Sequence, residues 1–440
     1  MPEALLLIFY LIIFIFLTSI LKVFRMKGLP FWSAPLFLIL KFLAGLGLAW
    51  IYSNFYSDRS TADVFKLFDD SKHLYAAFDQ HPEDYFRMLT GLASDAPYYD
   101  RYFNQMNHWF PSFEVNQGLY YDTRTLIRIN AFFRLFSFGY YPIHVLLFSF
   151  LALWGSMLTW RVFSRGSALN PKLLMVSVFF LPSVLAWTSG VLKESVVMLF
   201  TGMFLSGFFA LAERRFSFRN ILSLLFSILG FAVMKAYILL AILPGALAWI
   251  IVTWRNFKQP RLTFVLTLIV SAVLALNIQY LIPSINFMET LSVKQQAMLR
   301  LAYYTDSGSV LFVNPLDPRL MSFVRNWPEA MLNASFRPWV TEANNAMQWF
   351  SALENLVLAL LTLVCIIFYK KQDSPGKLAF LWFCLSFVLV LYSITGITTP
   401  ILGTLVRYRM PALPFFVLAI LMMTDLKKMV QTVKKLYGYE

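Results

Sequence analysis

The chain has 440 residues, of which 59% are hydrophobic, 18% aromatic and only 14% charged, and its formal net charge is +14. An ordinary soluble domain has about 25% charged residues, so this composition excludes a soluble globular protein and, with so many aromatics, a disordered one. The two cysteines, Cys365 and Cys384, fall inside apolar runs, which excludes a disulfide framework and a thiolate metal cluster.

Apolar runs of about 20 residues, the length that spans a bilayer, recur along the sequence. They predict an all-α polytopic membrane protein with about eleven transmembrane helices. In chain order these cover roughly 4–24, 31–53, 141–160, 173–189, 194–212, 220–234, 236–254, 262–281, 350–369, 378–395 and 401–423. The first run has no basic segment ahead of it and no small-residue cleavage site, so it reads as a retained helix. Two apolar blocks, 173–212 and 220–254, are too long for one crossing. Each has a lysine near its middle, Lys193 or Lys235, and each is expected to turn there as a short hairpin.

The chain thus divides into two N-terminal transmembrane helices (1–53), a first extracytoplasmic loop region (54–140), a membrane block with two hairpins (141–281), a second extracytoplasmic loop region (282–349), and the C-terminal helices with a cytoplasmic tail (350–440). The two loop regions are too polar for lipid and too aromatic for linkers, so short surface helices are expected in them. "TRTLIRINAFFRLF" (123–136) has helical apolar spacing, with Leu126, Ile129, Phe132, Phe133 and Leu135 near one side. It suits the membrane interface.

The positive charge is concentrated in alternate short connections. Lys22, Arg25 and Lys27, then Arg161, Arg165 and Lys172, then Arg214, Arg215 and Arg219, then Arg255, Lys258 and Arg261, then Lys370, Lys371 and Lys377, and finally Lys427, Lys428, Lys434 and Lys435 give 19 cations. Only Glu213, Asp373, Asp425 and Glu440 oppose them. This is the positive-inside pattern. It predicts an N-terminus outside and a C-terminus in the cytoplasm, and it accounts for the net charge without a nucleic-acid partner.

Candidate site residues lie on the opposite face. In "FLPSVLAWTSGVLKESVVMLF" (180–200), Lys193 and Glu194 stand just after Gly190. They either cap a helix end in water or face an anionic headgroup. Arg407 and Arg409 in "GTLVRYRMPALPFF" (403–416) precede Pro411 and Pro414. Guanidiniums at a helix mouth offer forks for a phosphate, although snorkelling from lipid gives the same pattern. Lys235 is a third outward cation, and Lys41 lies near the middle of its segment. Opposing acids follow the second segment: Asp58, Asp63, Asp69 and Asp70. The spacing of seven between Asp63 and Asp70 suits one helical face, and a carboxylate at the membrane surface is able to take a proton from a sugar hydroxyl. The four histidines have no ligand spacing and read as structural or solvated.

Acids after an early helix, with "LPSVLAWTSGVLKES" and "RYRMPALP" at later outward helix ends, resemble the C-type superfamily of polytopic glycosyltransferases. More narrowly, the chain looks like the bacterial branch related to protein mannosyltransferases and the lipid A aminoarabinose transferase. The resemblance implies a GT-C-like fold and an inverting transfer of a sugar from a polyprenyl-phosphate-linked donor to a hydroxyl of a glycan, lipid or protein acceptor. It places the protein in a bacterial inner membrane. It makes Asp63, then Asp70, the catalytic base, with Arg407, Arg409, Lys193, Glu194 and Lys235 around the lipid phosphate. No cofactor is expected, and a divalent metal is not indicated. The sequence departs from the family in its extra helix at 4–24 and in having no acidic pair directly after the next one, Asp69–Asp70 being the nearest. Three other readings stand beside it: a lipid-linked oligosaccharide polymerase or ligase, a transporter or flippase of an anionic lipid, and a non-catalytic assembly subunit.

Overall fold

The computed structural model describes residues 3–55, 58–91, 97–109, 122–255, 259–304 and 308–436. Two of the loop charges, Lys258 and Glu440, lie outside the described residues. The helices in chain order are α1 (Glu3–Ile20), α2 (Ser33–Phe55), α3 (Lys66–Gln80), α4 (Pro82–Thr90), α5 (Asp100–Phe103), α6 (Asp122–Ser137), α7 (Tyr141–Ser167), α8 (Pro171–Phe179), α9 (Pro182–Trp187) and α10 (Lys193–Ala212). They continue as α11 (Phe218–Met234), α12 (Ala236–Trp254), α13 (Pro260–Asn277), α14 (Phe287–Tyr304), α15 (Leu320–Phe336), α16 (Ala346–Ile367), α17 (Pro375–Thr398), α18 (Leu402–Arg409), α19 (Leu413–Met423) and α20 (Leu426–Leu436). No strand forms among the described residues, so the fold is all-α.

Among the described residues nine helices are long and apolar enough to cross a membrane, with α18 and α19 counted as one span from Leu402 to Met423. The apolar α11 is shorter, at 17 residues. The expected segment 173–189 differs: it is two short helices, α8 and α9, parted just before Pro182. Proline has no N–H to give the preceding turn and pushes the residue before it out of helical geometry, so a helix stops there and a new one starts. The outward flanks of α1 (Leu5, Ile8, Phe9, Ile12, Phe16) and α13 (Leu266, Ile269, Val270, Val273) are exposed apolar surface. Faces of this extent belong against lipid rather than water.

The chain forms two compact units. The first comprises residues 1–161, 185–209 and 216–239, and the second 162–184, 210–215 and 240–440. In the first, α3 packs against α4 and α6. The α7 and α10 backbones touch: a Cβ built on Gly155 would lie 2.1 Å from the Met198 carbonyl oxygen, and one on Gly202 would lie 2.2 Å from the Gly155 carbonyl oxygen. Small residues at such a crossing let helices approach closely where lipid supplies no hydrophobic drive.

In the second unit α17 is the central helix. It packs against α13, α14, α15, α18 and α19, and the rings of Phe163, Phe380, Phe383, Phe387 and Phe415 interlock beside it.

Overpacking a well-packed core costs about 1–3 kcal/mol, occasionally more. Gly155→Leu is therefore expected to lower the melting temperature of the detergent-solubilised protein sharply. Leucine at Gly403, whose Cβ direction is open, is expected to leave it nearly unchanged.

Candidate functional site

The turn joining α9 to α10 sits inside the first unit. Thr188, Ser189, Val191 and Leu192 are all buried. This turn was expected at a water-exposed tip. It survives burial because its polar groups are satisfied from neighbouring helices. The Lys41 ammonium of α2 donates to Thr188 Oγ1 at 2.5 Å, Ser149 of α7 donates to the Ser189 carbonyl at 3.0 Å, and Ser195 donates to the Gly190 carbonyl at 2.8 Å. Lys41 is thus a buried amine held by a hydrogen bond.

At the start of α10 the two adjacent charges part. Glu194 is fully buried, and its carboxylate lies 2.6 Å from Lys235 Nζ, itself 5% exposed. Lys235 stands at the break between α11 and α12 with φ −156° and ψ 74°. One ion pair therefore joins two helix breaks, and Glu194 gains further from its place in the first turn of α10. Lys193 turns the other way and pairs with Asp122 at the start of α6, 2.7 Å away.

The helical layer α3–α6 carries the candidate acids. Asp63 lies in the turn ahead of α3, where it pairs with Lys66, so the spacing of seven to Asp70 does not place both on one helix. Asp70 is buried at 4% exposure. It accepts the backbone N–H groups of Asn107 at 3.1 Å and His108 at 2.9 Å, and its Oδ2 lies 3.0 Å from His108 Nδ1. A carboxylate at Nδ1 fixes that nitrogen as the donor. Asp69 is held by a two-pronged bond from Arg59, at 2.7 and 3.1 Å. Beside His108, Trp109 stacks on Phe103 at 4.3 Å and lies under Arg124 and Arg128, at 4.8 and 5.1 Å.

The predicted helix at 123–136 is present as α6, and its inner side carries polar as well as apolar residues. Arg124, Asn130 and Arg134 are buried with Leu126, Ile127 and Ala131, while Phe132 and Phe136 face outward. Arg134 is accommodated by Ser71 Oγ at 2.8 Å, the Phe68 carbonyl at 2.7 Å and the Phe68 ring at 4.3 Å. Burial lowers its pKa to about 10 against the opposing pull of Asp69, so it stays charged at neutral pH. Asn130 bonds His144, which also meets Ser137.

Arg407 and Arg409 belong to the second unit. Residues two apart on a helix diverge, and here Arg409 points inward. It is fully buried and donates to the Ala334 carbonyl at 2.6 Å and to Asn355 Oδ1. It braces α15, α16 and α18. Arg407 is half-buried. In the same unit Glu354 accepts the backbone N–H and hydroxyl of Ser183.

The first unit therefore gathers an acid–imidazole pair, an indole flanked by two arginines, and the Lys193–Asp122 pair. Asp70 and Lys193 were legible as candidates. His108, Trp109, Arg124 and Arg128 carried no spacing signal that set them apart. Among the described residues no group of three or more His, Cys, Asp or Glu is placed to hold a metal ion.

Removing one partner of a buried ion pair costs about 3–5 kcal/mol, whereas replacing both by apolar residues is often neutral. Glu194→Gln and Lys235→Met are each expected to destabilise the protein strongly in thermal melts. The double variant is expected to be more stable than either. Additive losses would show that the two side chains act independently.

Comparison with protein-family models, with curated proteins and with solved structures found no match.

Proposed function

We propose that the chain is a membrane glycosyltransferase that moves a sugar from a polyprenyl-phosphate-linked donor to an acceptor hydroxyl on the extracytoplasmic face, with inversion. The expected GT-C-like arrangement of about eleven membrane helices belongs to this reading, as do the inner-membrane location and the orientation of the termini. The observation that carries it is the pairing of Asp70 with His108 in a helical layer whose α6 also brings Asp122 to Lys193.

In this reading the polyprenyl tail lies among the apolar helices and the phosphate meets Lys193. His108, oriented by Asp70, takes the proton of the acceptor hydroxyl. The acceptor oxygen forms its bond to the anomeric carbon from the face opposite the phosphate as the bond from that carbon to the phosphate oxygen breaks. The phosphate leaves with one more negative charge, and the nearby cation stabilises it most in the transition state. Asp63, one-third exposed, is the alternative base. Trp109 with Arg124 and Arg128 offers a platform for the sugar or acceptor. Lys193 serves the charge-neutralising role in this reading. Arg407 and Arg409 lie in the other unit and carry no step here.

A second reading, transport of an anionic lipid or solute, is favoured by Lys41, buried within α2, and by the buried Glu194 and Lys235 at two helix breaks. Intramembrane charges and interrupted helices are features of transport paths.

The test is sugar transfer in proteoliposomes containing the purified chain, a labelled polyprenyl-phosphate sugar and a membrane extract as acceptor. Losing a general base costs about 10²–10⁴ in rate, and losing one charge-stabilising group about 10²–10³. His108→Ala and Lys193→Met are expected to fall by such factors. Undiminished transfer in both would overturn the assignment. Intact donor moved across the bilayer without transfer would favour transport, and long glycan products would favour a polymerase or ligase.

A further inference from the structure

The C-terminal end of the second unit carries a feature that sugar transfer does not use. Helix α20 starts directly after α19, which ends at Met423. Its sequence, "LKKMVQTVKKL", repeats apolar residues at helical spacing and sets Lys427, Lys428, Lys434 and Lys435 between them. The four lysines are exposed, and so is Val430 at 47%. Asp425 caps the helix by accepting the Lys428 N–H at 3.1 Å.

The connection from α16 to α17 is tied to this junction. Tyr369 bridges Thr424, the Lys370 N–H donates to the Met423 carbonyl at 2.7 Å, and the Asp425 N–H donates to the Phe368 carbonyl at 2.8 Å. The exposed Lys370 and Lys371 are therefore held at the same level as the start of α20, where a membrane-length helix ends. The exposed Lys370 and Lys371 thus join the four exposed lysines of α20, against an Asp425 engaged in the cap and the exposed Asp373.

We propose that α20 and the adjoining Lys370–Lys371 segment form a docking surface for anionic phospholipid headgroups. The helix lies in the plane of the membrane surface, with Met429 and Val430 toward the acyl chains and its lysine stems reaching up to the phosphates. A short helix with one apolar stripe, a lysine-rich opposite face and a start fixed at the end of a membrane span fits that geometry. The face is the one that the distribution of lysine and arginine assigns to the cytoplasm, whose leaflet is negatively charged. The inference rests on the membrane placement of α19 and not on the transferase reading.

The test is hydrogen exchange of the full chain in nanodiscs of phosphatidylcholine alone, compared with discs containing a fraction of phosphatidylglycerol. Amides of α20 are expected to exchange at least about fivefold more slowly in the anionic discs, the factor contributed by one lysine near such a surface. The variant K427Q/K428Q/K434Q/K435Q is expected to lose this difference while the amides of α17, which report on the fold, keep their protection. Equal exchange of α20 in the two discs would overturn the proposal. So would equal slowing by inorganic phosphate added to the phosphatidylcholine discs, which would mark a site for the free anion rather than a lipid surface.

Discussion

The first unit depends on one buried ion pair. Glu194 and Lys235 each stand at a point where a helix is interrupted, and each is a charge that apolar surroundings admit only with a partner. Because they share one contact, the break before α10 and the break before α12 hold each other in register. The start of α10 is then fixed, and with it the direction of Lys193. That lysine reaches Asp122, the first residue of α6, and so ties a membrane helix to the polar layer that it meets. Lys41 and Ser149 secure the turn ahead of α10 in the same way, by supplying donors where the chain leaves its own carbonyl and hydroxyl oxygens open.

The polar layer follows a different logic. α6 buries two arginines and an asparagine among Leu126, Ile127 and Ala131 and turns Phe132 and Phe136 outward. Arg134 is met there by a hydroxyl, a carbonyl and an aromatic ring and Asn130 by an imidazole, while Arg124 lies over the Trp109 ring. The outward phenylalanines suit the boundary between lipid and water. In the proposed reading this layer holds a sugar phosphate close to the bilayer while its own charges stay fixed. Asp70 and His108 share this interior, since the carboxylate organises the loop that presents the imidazole and the indole.

Much of the scaffold was legible in the sequence because lipid imposes a length on apolar runs, and that signal is long and continuous. The interruptions at Lys193 and Lys235 were legible for the same reason: a charge stands out against an apolar background. The split at Pro182 was missed, although the proline was in view, because the flanking residues kept the run apolar. The burial of the 188–192 turn was invisible, since it depends on donors from α2 and α7, far away in the chain. Asp70 was picked out by type and position, but its partner His108 was not. The contact between them spans 38 residues, and no periodicity records it. Arg409 was read as a surface cation, yet the residues that enclose it, Ala334 and Asn355, come from helices that the local pattern does not connect to it.

The most direct measurement is an experimental structure of the full chain in lipid nanodiscs loaded with a polyprenyl phosphate. The account predicts phosphate density within hydrogen-bonding reach of the Lys193 ammonium, with Glu194 and Lys235 still in contact behind it. Phosphate density bound elsewhere with Lys193 remote from it, or a Glu194 carboxylate separated from Lys235, would contradict the account.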